Sequence, residues 1–146
     1  MPAQHSTDRA DPYNLERFVE AQDPIFQQVI AELQRGRKMS HWMWFIFPQI
    51  QGLGRSETAI EFAISGLDEA RAYLAHPILG PRLKDCTRLA LQVENRPAAQ
   101  IFGSPDEMKF CSCMTLFARV SPEDDIFVRA LERYFRGPDQ LTLDRL

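Results

Sequence analysis

The chain has 146 residues, 45% of them hydrophobic and 25% charged, a composition that suits one globular domain with one core and argues against disorder away from the ends. Its net charge is -3 and its pI about 5.6, so the basic stripe that duplex nucleic acid demands is missing, although the charge argument leaves single-stranded contact open. Its longest apolar run, residues 42–47, falls far short of the roughly 20 residues that span a bilayer, so no membrane partner is expected.

Residues 1–10 are polar and lack the apolar segment of a signal peptide, so they read as a disordered leader on a cytoplasmic chain. Order is expected from Asp11-Pro12, an N-cap followed by the residue that suits the first helical position. Leu15, Phe18 and Val19 then share one helix face. Asp23-Pro24 repeats the start signal. Ile25, Phe26, Val29, Ile30 and Leu33 follow as a stripe, and Gly36 supplies a left-handed stop. Residues 40–49 are apolar nearly all round, which periodicity cannot assign; the run fits two buried helical turns capped by Ser40 or a central strand. The scarcity of β-branched residues favours helix, and Pro48 ends either one.

Beyond a glycine loop at 51–55, Ser56 reads as the N-cap of a helix through Ile60, Ala63 and Ile64 that Gly66 stops. Helices over roughly 67–75 and from Leu79 to Val93 come next, then a short piece at 98–102. Ser104-Pro105-Asp106-Glu107 has the form of a capping box and starts a helix running to about Arg119. Ser121-Pro122 starts the last, with a stripe of Ile126, Phe127, Ala130, Leu131, Tyr134 and Phe135 stopped by Gly137. Strand signals are poor and no repeat or linker is visible. The expected fold is all-α, a single compact domain over 11–146 with about seven or eight helices.

The run His41-Trp42-Met43-Trp44-Phe45-Ile46-Phe47-Pro48-Gln49, with Gly52-Leu53-Gly54 and Ser56 after it, resembles the DUF1810 family. Ala72-Tyr73-Leu74, His76-Pro77, Leu79-Gly80, Arg82-Leu83, Ile101-Phe102-Gly103, Asp106, Lys109, Ser112 and Met114-Thr115-Leu116-Phe117 extend the resemblance to almost the whole chain. It implies a compact helical fold of small bacterial proteins with no established biochemical function. Some members carry the label calpastatin, a disordered protease inhibitor, which this composition contradicts. Cys113 departs from the family, which often has Ser there.

Three constellations could carry chemistry. Trp42 and Trp44 could form a stacking wall for a flat ligand, bracketed by the polar His41 and Gln49, or they could fill the core. Gly52, Gly54, Arg55 and Ser56 could cradle an anion between close backbone, a forked cation and a helix N-terminus, or they could form a tight turn and its cap. The loop is neither a P-loop nor a dinucleotide fingerprint. Asp106, Lys109 and Cys113 share a helix face with Ser112 close by, either as an exposed ion pair or as a polar face whose lysine reaches that anion. Cys86, Cys111 and Cys113 are odd in number and read as reduced, buried thiols; no spacing suits a metal, and no cofactor is implied.

The sequence thus favours a helical domain binding a small anionic or nucleotide-like ligand through His41, Trp42, Trp44, Gln49, Gly52, Gly54, Arg55, Ser56 and Lys109. The alternatives are an enzyme using His41 as general acid or base, paired with Cys113 if the fold brings the two together, and a protein-interaction module with exposed aromatics. Oligomeric state is left open.

Overall fold

The computed structural model describes residues 11–146, and the leader expected at 1–10 lies outside them. Ten helices occur among the described residues: α1 (Glu16–Gln22), α2 (Phe26–Gln34), α3 (Met43–Ile46), α4 (Glu57–Glu61), α5 (Leu67–Ala75), α6 (Leu79–Gln92), α7 (Ala98–Phe102), α8 (Asp106–Val120), α9 (Ile126–Tyr134) and α10 (Gln140–Leu143). The all-α expectation holds, but seven or eight helices is too few. Four of the ten are single turns of four or five residues, too short to leave a periodic signature. The last, α10, follows the glycine at which the sequence reading stopped. Its cap is Asp139, whose carboxylate accepts from the Thr142 N–H at 3.2 Å.

Helix α8 is the centre. Every residue from 110 to 117 is buried, so its sequence shows little amphipathic contrast: it is covered on all sides. Helices α5, α7, α9 and α10 pack round it, and the α3 turn closes one end. Its polar residues are satisfied locally. The Thr115 hydroxyl donates to the Cys111 carbonyl at 2.8 Å, and the Ser112 hydroxyl, which donates to Asp139, lies 3.0 Å from the Met108 carbonyl. Phe110 stacks on Phe102 with centroids 4.5 Å apart and meets Phe47 edge-on at 4.9 Å, joining α7, α8 and the aromatic run.

Several start signals do other work than expected. Asp11 is not the N-cap of α1, which is Leu15 with helix from Glu16, although its carboxylate accepts from the Leu15 and Glu16 N–H groups at 2.6 and 2.9 Å. Asp23 does not cap α2; it pairs with Arg82 at 2.9 Å. Ser104 caps nothing: α8 begins at Asp106 with Pro105 in the cap position, so the expected capping box does not form. Acidic residues still occupy its first turn, where the helix dipole favours them. Gly66 does not end a helix either. Its backbone is extended at φ 171° and leads into α5. The helix expected through Ile64 stops at Glu61, Phe62 turns out of it, and Ile64 pairs in parallel with Ile50. Two bonds of 2.8 Å, Gln51 N–H to the Ile64 carbonyl and Ile64 N–H to the Gln49 carbonyl, close that bridge. Arg17 fixes its flank. All five of its donors are used, on the carbonyls of Tyr13, Asn14, Glu61 and Ala63 and on the buried carboxylate of Glu69.

The run at 40–49 is one helical turn, α3, rather than two, and after it Phe47 to Gln49 lie in neither helix nor strand, so the helical alternative holds for one turn and the strand does not form. Ser40 is not its cap. The run is held by Glu32 on α2, which is 1% exposed. One carboxylate oxygen accepts from the N–H groups of Met39 and Ser40 and from the Trp42 indole, at 2.7, 3.1 and 2.9 Å. The other accepts from the Ser40 hydroxyl at 2.8 Å and the Gln28 amide at 3.0 Å. Farther along, Gln22 donates to the Phe45 carbonyl at 2.6 Å and to the Tyr73 hydroxyl at 3.1 Å. The apolar run is therefore aimed by two buried polar groups on the two helices before it.

Burial alone would raise the Glu32 pKa, but the bonds from Met39, Ser40, Trp42 and Gln28 outweigh it and bring the pKa down to about 2. A carboxylate with a depressed folded-state pKa stabilises the fold above its unfolded pKa, near 4.5, and that contribution is lost as the pH falls towards about 2. At about 1.4 kcal/mol per unit the contribution is about 3 kcal/mol. Denaturant unfolding from pH 7 down to pH ~2.5 is expected to show this loss in the native chain. Glu32→Gln is expected to be about 2–3 kcal/mol less stable at pH 7 and to lack the share of the acid-dependent fall that Glu32 contributes. Parallel curves for the two proteins would refute this role.

Candidate functional site

The loop before α3, the α3 turn and the start of α8 enclose a groove of about 380 Å³. Lys38 enters from the loop, where its N–H donates to the Ile101 carbonyl at 2.6 Å and ties the loop to α7. Its side chain is only 6% exposed, and its ammonium lies 2.9 Å from the Asp106 carboxylate and 5.3 Å from the Trp42 ring centre. Lys109, one turn along α8 from Asp106, reaches the other carboxylate oxygen at 2.8 Å and lies 4.4 Å over the Trp44 ring. Burial would raise the Asp106 pKa, but the two ammonium groups prevail and lower it. Two cations thus share one anion beside two indoles. His41 and Thr58 complete the rim, both solvent-exposed.

Trp44 and Lys109 also line a second cavity of about 380 Å³, between the end of the aromatic run, α8 and α10. Gln49 enters it. The residue is 6% exposed, and its amide nitrogen, fully enclosed, has no hydrogen-bond partner. A buried polar group left unpaired costs about 1–3 kcal/mol.

The structure therefore brings together His41, Trp42, Trp44 and Lys109, and sets Gln49 against Trp44 and Lys109 in the adjoining cavity. The glycine loop stands apart from the lysine groove. Gly54 carries the Trp44 ring against its bare Cα: a Cβ there would fall 2.9 Å from that ring and 2.7 Å from the Ala59 methyl. Gly52, at φ +93°, lies under the Arg145 guanidinium. These two glycines and Arg145 line a third cavity of about 330 Å³. Ser56 caps α4, accepting from the Ala59 N–H at 3.1 Å, as expected. Arg55 is exposed and lines none of these cavities. Sequence reasoning missed Lys38 and Glu32. Lysine scarcity was the available signal for the first: lysine stands only at 38, 84 and 109 among 17 basic residues, and two of the three meet on Asp106.

Cys113 is fully buried in the core and is not part of the groove wall where His41 lies, so the two are not paired. Burial pushes its thiol well above the ordinary range, that of Cys86 to about 12 and that of Cys111 to about 11. Such thiols are protonated at neutral pH and poorly nucleophilic. Among the described residues, no group of three His, Cys, Asp or Glu side chains could hold a metal ion, and no helix is long and apolar enough to cross a membrane.

Residues 12–146 match the family described as protein of unknown function (DUF1810). The chain is also similar to a solved structure, that of the conserved hypothetical protein Rv1873 from Mycobacterium tuberculosis. The two are 51% identical, the match covers 93% of this chain and 98% of that one, and the TM-score is 0.92. No curated protein matches.

Two outcomes test this geometry. Gly54→Ala is expected to cost about 1–3 kcal/mol in denaturant unfolding and to alter the near-ultraviolet signal of Trp44, since the added methyl must displace the ring or Ala59. An unchanged signal with full stability would show that the ring is not seated there. A thiol reagent at neutral pH is expected to label none of the three cysteines rapidly in the native protein and all three after unfolding.

Proposed function

We propose that this chain, which belongs to the DUF1810 family of unknown function, binds a small anionic, nucleotide-like ligand in the groove of Lys38, His41, Trp42, Trp44 and Lys109. The observation that carries this reading is the pair of ammonium groups on the single carboxylate of Asp106. One positive charge is left over in a partly enclosed groove, where electrostatic attraction is stronger than in open water. The half-buried Trp44 indole supplies the flat surface on which a ring stacks, while Trp42, 1% exposed, backs the groove from the core.

An interaction module would expose the aromatic run, but Trp42, Met43, Ile46 and Phe47 are all buried, which favours a pocket. The enzyme reading draws its support from His41, exposed on the rim of the same groove, where a side chain could exchange protons with both ligand and solvent. The Gly52, Gly54, Arg55 and Ser56 loop supplies no wall of the groove and is left out of the proposed contact set.

A thermal-shift screen with inorganic phosphate, pyrophosphate, nucleoside mono-, di- and triphosphates and sugar phosphates tests the proposal. A ligand at about 100 times its dissociation constant adds roughly 2.7 kcal/mol, a rise of several degrees for a domain of this size. At least one phosphate compound is expected to give that rise, and Lys109→Gln is expected to lose most of it while staying folded. A flat screen on folded protein, or an undiminished shift in the variant, would sink the anion reading.

A further inference from the structure

The second cavity differs in chemistry from the lysine groove. Its walls include Leu53, Pro105, Met108 and Leu141, and the last two are 50% and 65% exposed, unusual for large apolar residues. Asp139 also lines it, one of its carboxylate oxygens already accepting from the Ser112 hydroxyl at 2.9 Å and the Thr142 hydroxyl at 2.6 Å. An anion is unwelcome beside that carboxylate; a neutral group with an N–H is not. Gln49 contributes an amide whose nitrogen has no partner, and a half-turn about its last side-chain torsion exchanges donor for acceptor. Buried polar groups are ordinarily paired, and the residue that carries this one lines a cavity with an apolar rim.

We infer that this slot is a subsite for the uncharged, planar part of a ligand, one bearing a lactam or carboxamide edge. Gln49 meets the carbonyl of that edge, the Asp139 carboxylate takes its N–H, and Met108 and Leu141 close over the flat body. Trp44 and Lys109 form the wall common to slot and groove, so one ligand can place its neutral ring in the slot and its anionic group on Lys38 and Lys109. The inference rests on the groove reading for the charged end alone; the slot is assigned from its own residues.

The test uses two neutral probes without a charged group, uracil and benzamide, and inorganic phosphate as the groove's own probe. The full chain, labelled with nitrogen-15, is titrated by NMR, where the side-chain amide pair of Gln49 is identified by its absence in Gln49→Leu. At least one neutral probe is expected to shift that pair saturably. Its affinity is expected to fall at least tenfold in Gln49→Leu and in Met108→Arg, a change at an exposed rim position that leaves the core untouched. Phosphate binding is expected to survive both variants and to fail in Lys109→Gln. Neutral probes that leave the Gln49 pair unmoved, or that bind as well to both variants, overturn the slot even if phosphate binds. Phosphate that fails while a neutral probe moves the Gln49 pair overturns the groove reading and leaves the slot standing.

Discussion

The arrangement of this protein depends on one buried carboxylate. Glu32 gathers five donors from its own helix and from the loop and turn that follow, and among them is the indole of Trp42. Without that anchor an apolar decapeptide has no reason to prefer one path across the core. With it, the chain leaves α2 in a fixed direction, Lys38 is carried to the start of α8, and Trp44 is left at the boundary between core and solvent. A charge taken out of water is costly unless its hydrogen-bonding capacity is filled, so this network specifies a geometry as well as contributing stability.

From that anchor the rest follows as packing. Helix α8 is buried over two full turns and is the scaffold against which the aromatic run, α7 and α10 are placed. Its first turn carries Asp106 and Lys109 to the groove, and Met108 of that turn, with Ser112 of the next, lines the neighbouring cavity. Side chains that touch both solvent and cavity are thereby held on a rigid element, the condition under which a binding site keeps its shape between occupied and empty states.

Helix existence was legible wherever an amphipathic stripe ran for two turns or more, as in α2, α6 and α9. Boundaries were less so, and the reason is consistent. Asp23 and Ser104 look like caps because their types favour caps, but Asp23 has a tertiary partner in Arg82, and the start of α8 is given to Asp106 and its two lysines. The pairing of Ile50 with Ile64 is long-range and leaves no local pattern, so the α4 region was read as one helix. Within the candidate site, Trp44, Gln49 and Lys109 could be singled out from chemistry alone. Glu32 could not, because a glutamate on an amphipathic helix normally faces water, and only the fold reveals that this one is the partner of an indole ten residues on.

Asp106 gives the groove an internal counter-ion. The two lysines that reach it come from segments some seventy residues apart, so the carboxylate also clasps the loop before α3 to the head of α8. Any incoming anion enters a competition already under way. A weak or singly charged solute gains little by displacing a carboxylate that is covalently held in position, whereas a group with two or more charges can engage both ammoniums without unclasping them. For an anion bound as proposed, the clasp acts as a charge threshold that favours a group of higher valence over singly charged ions.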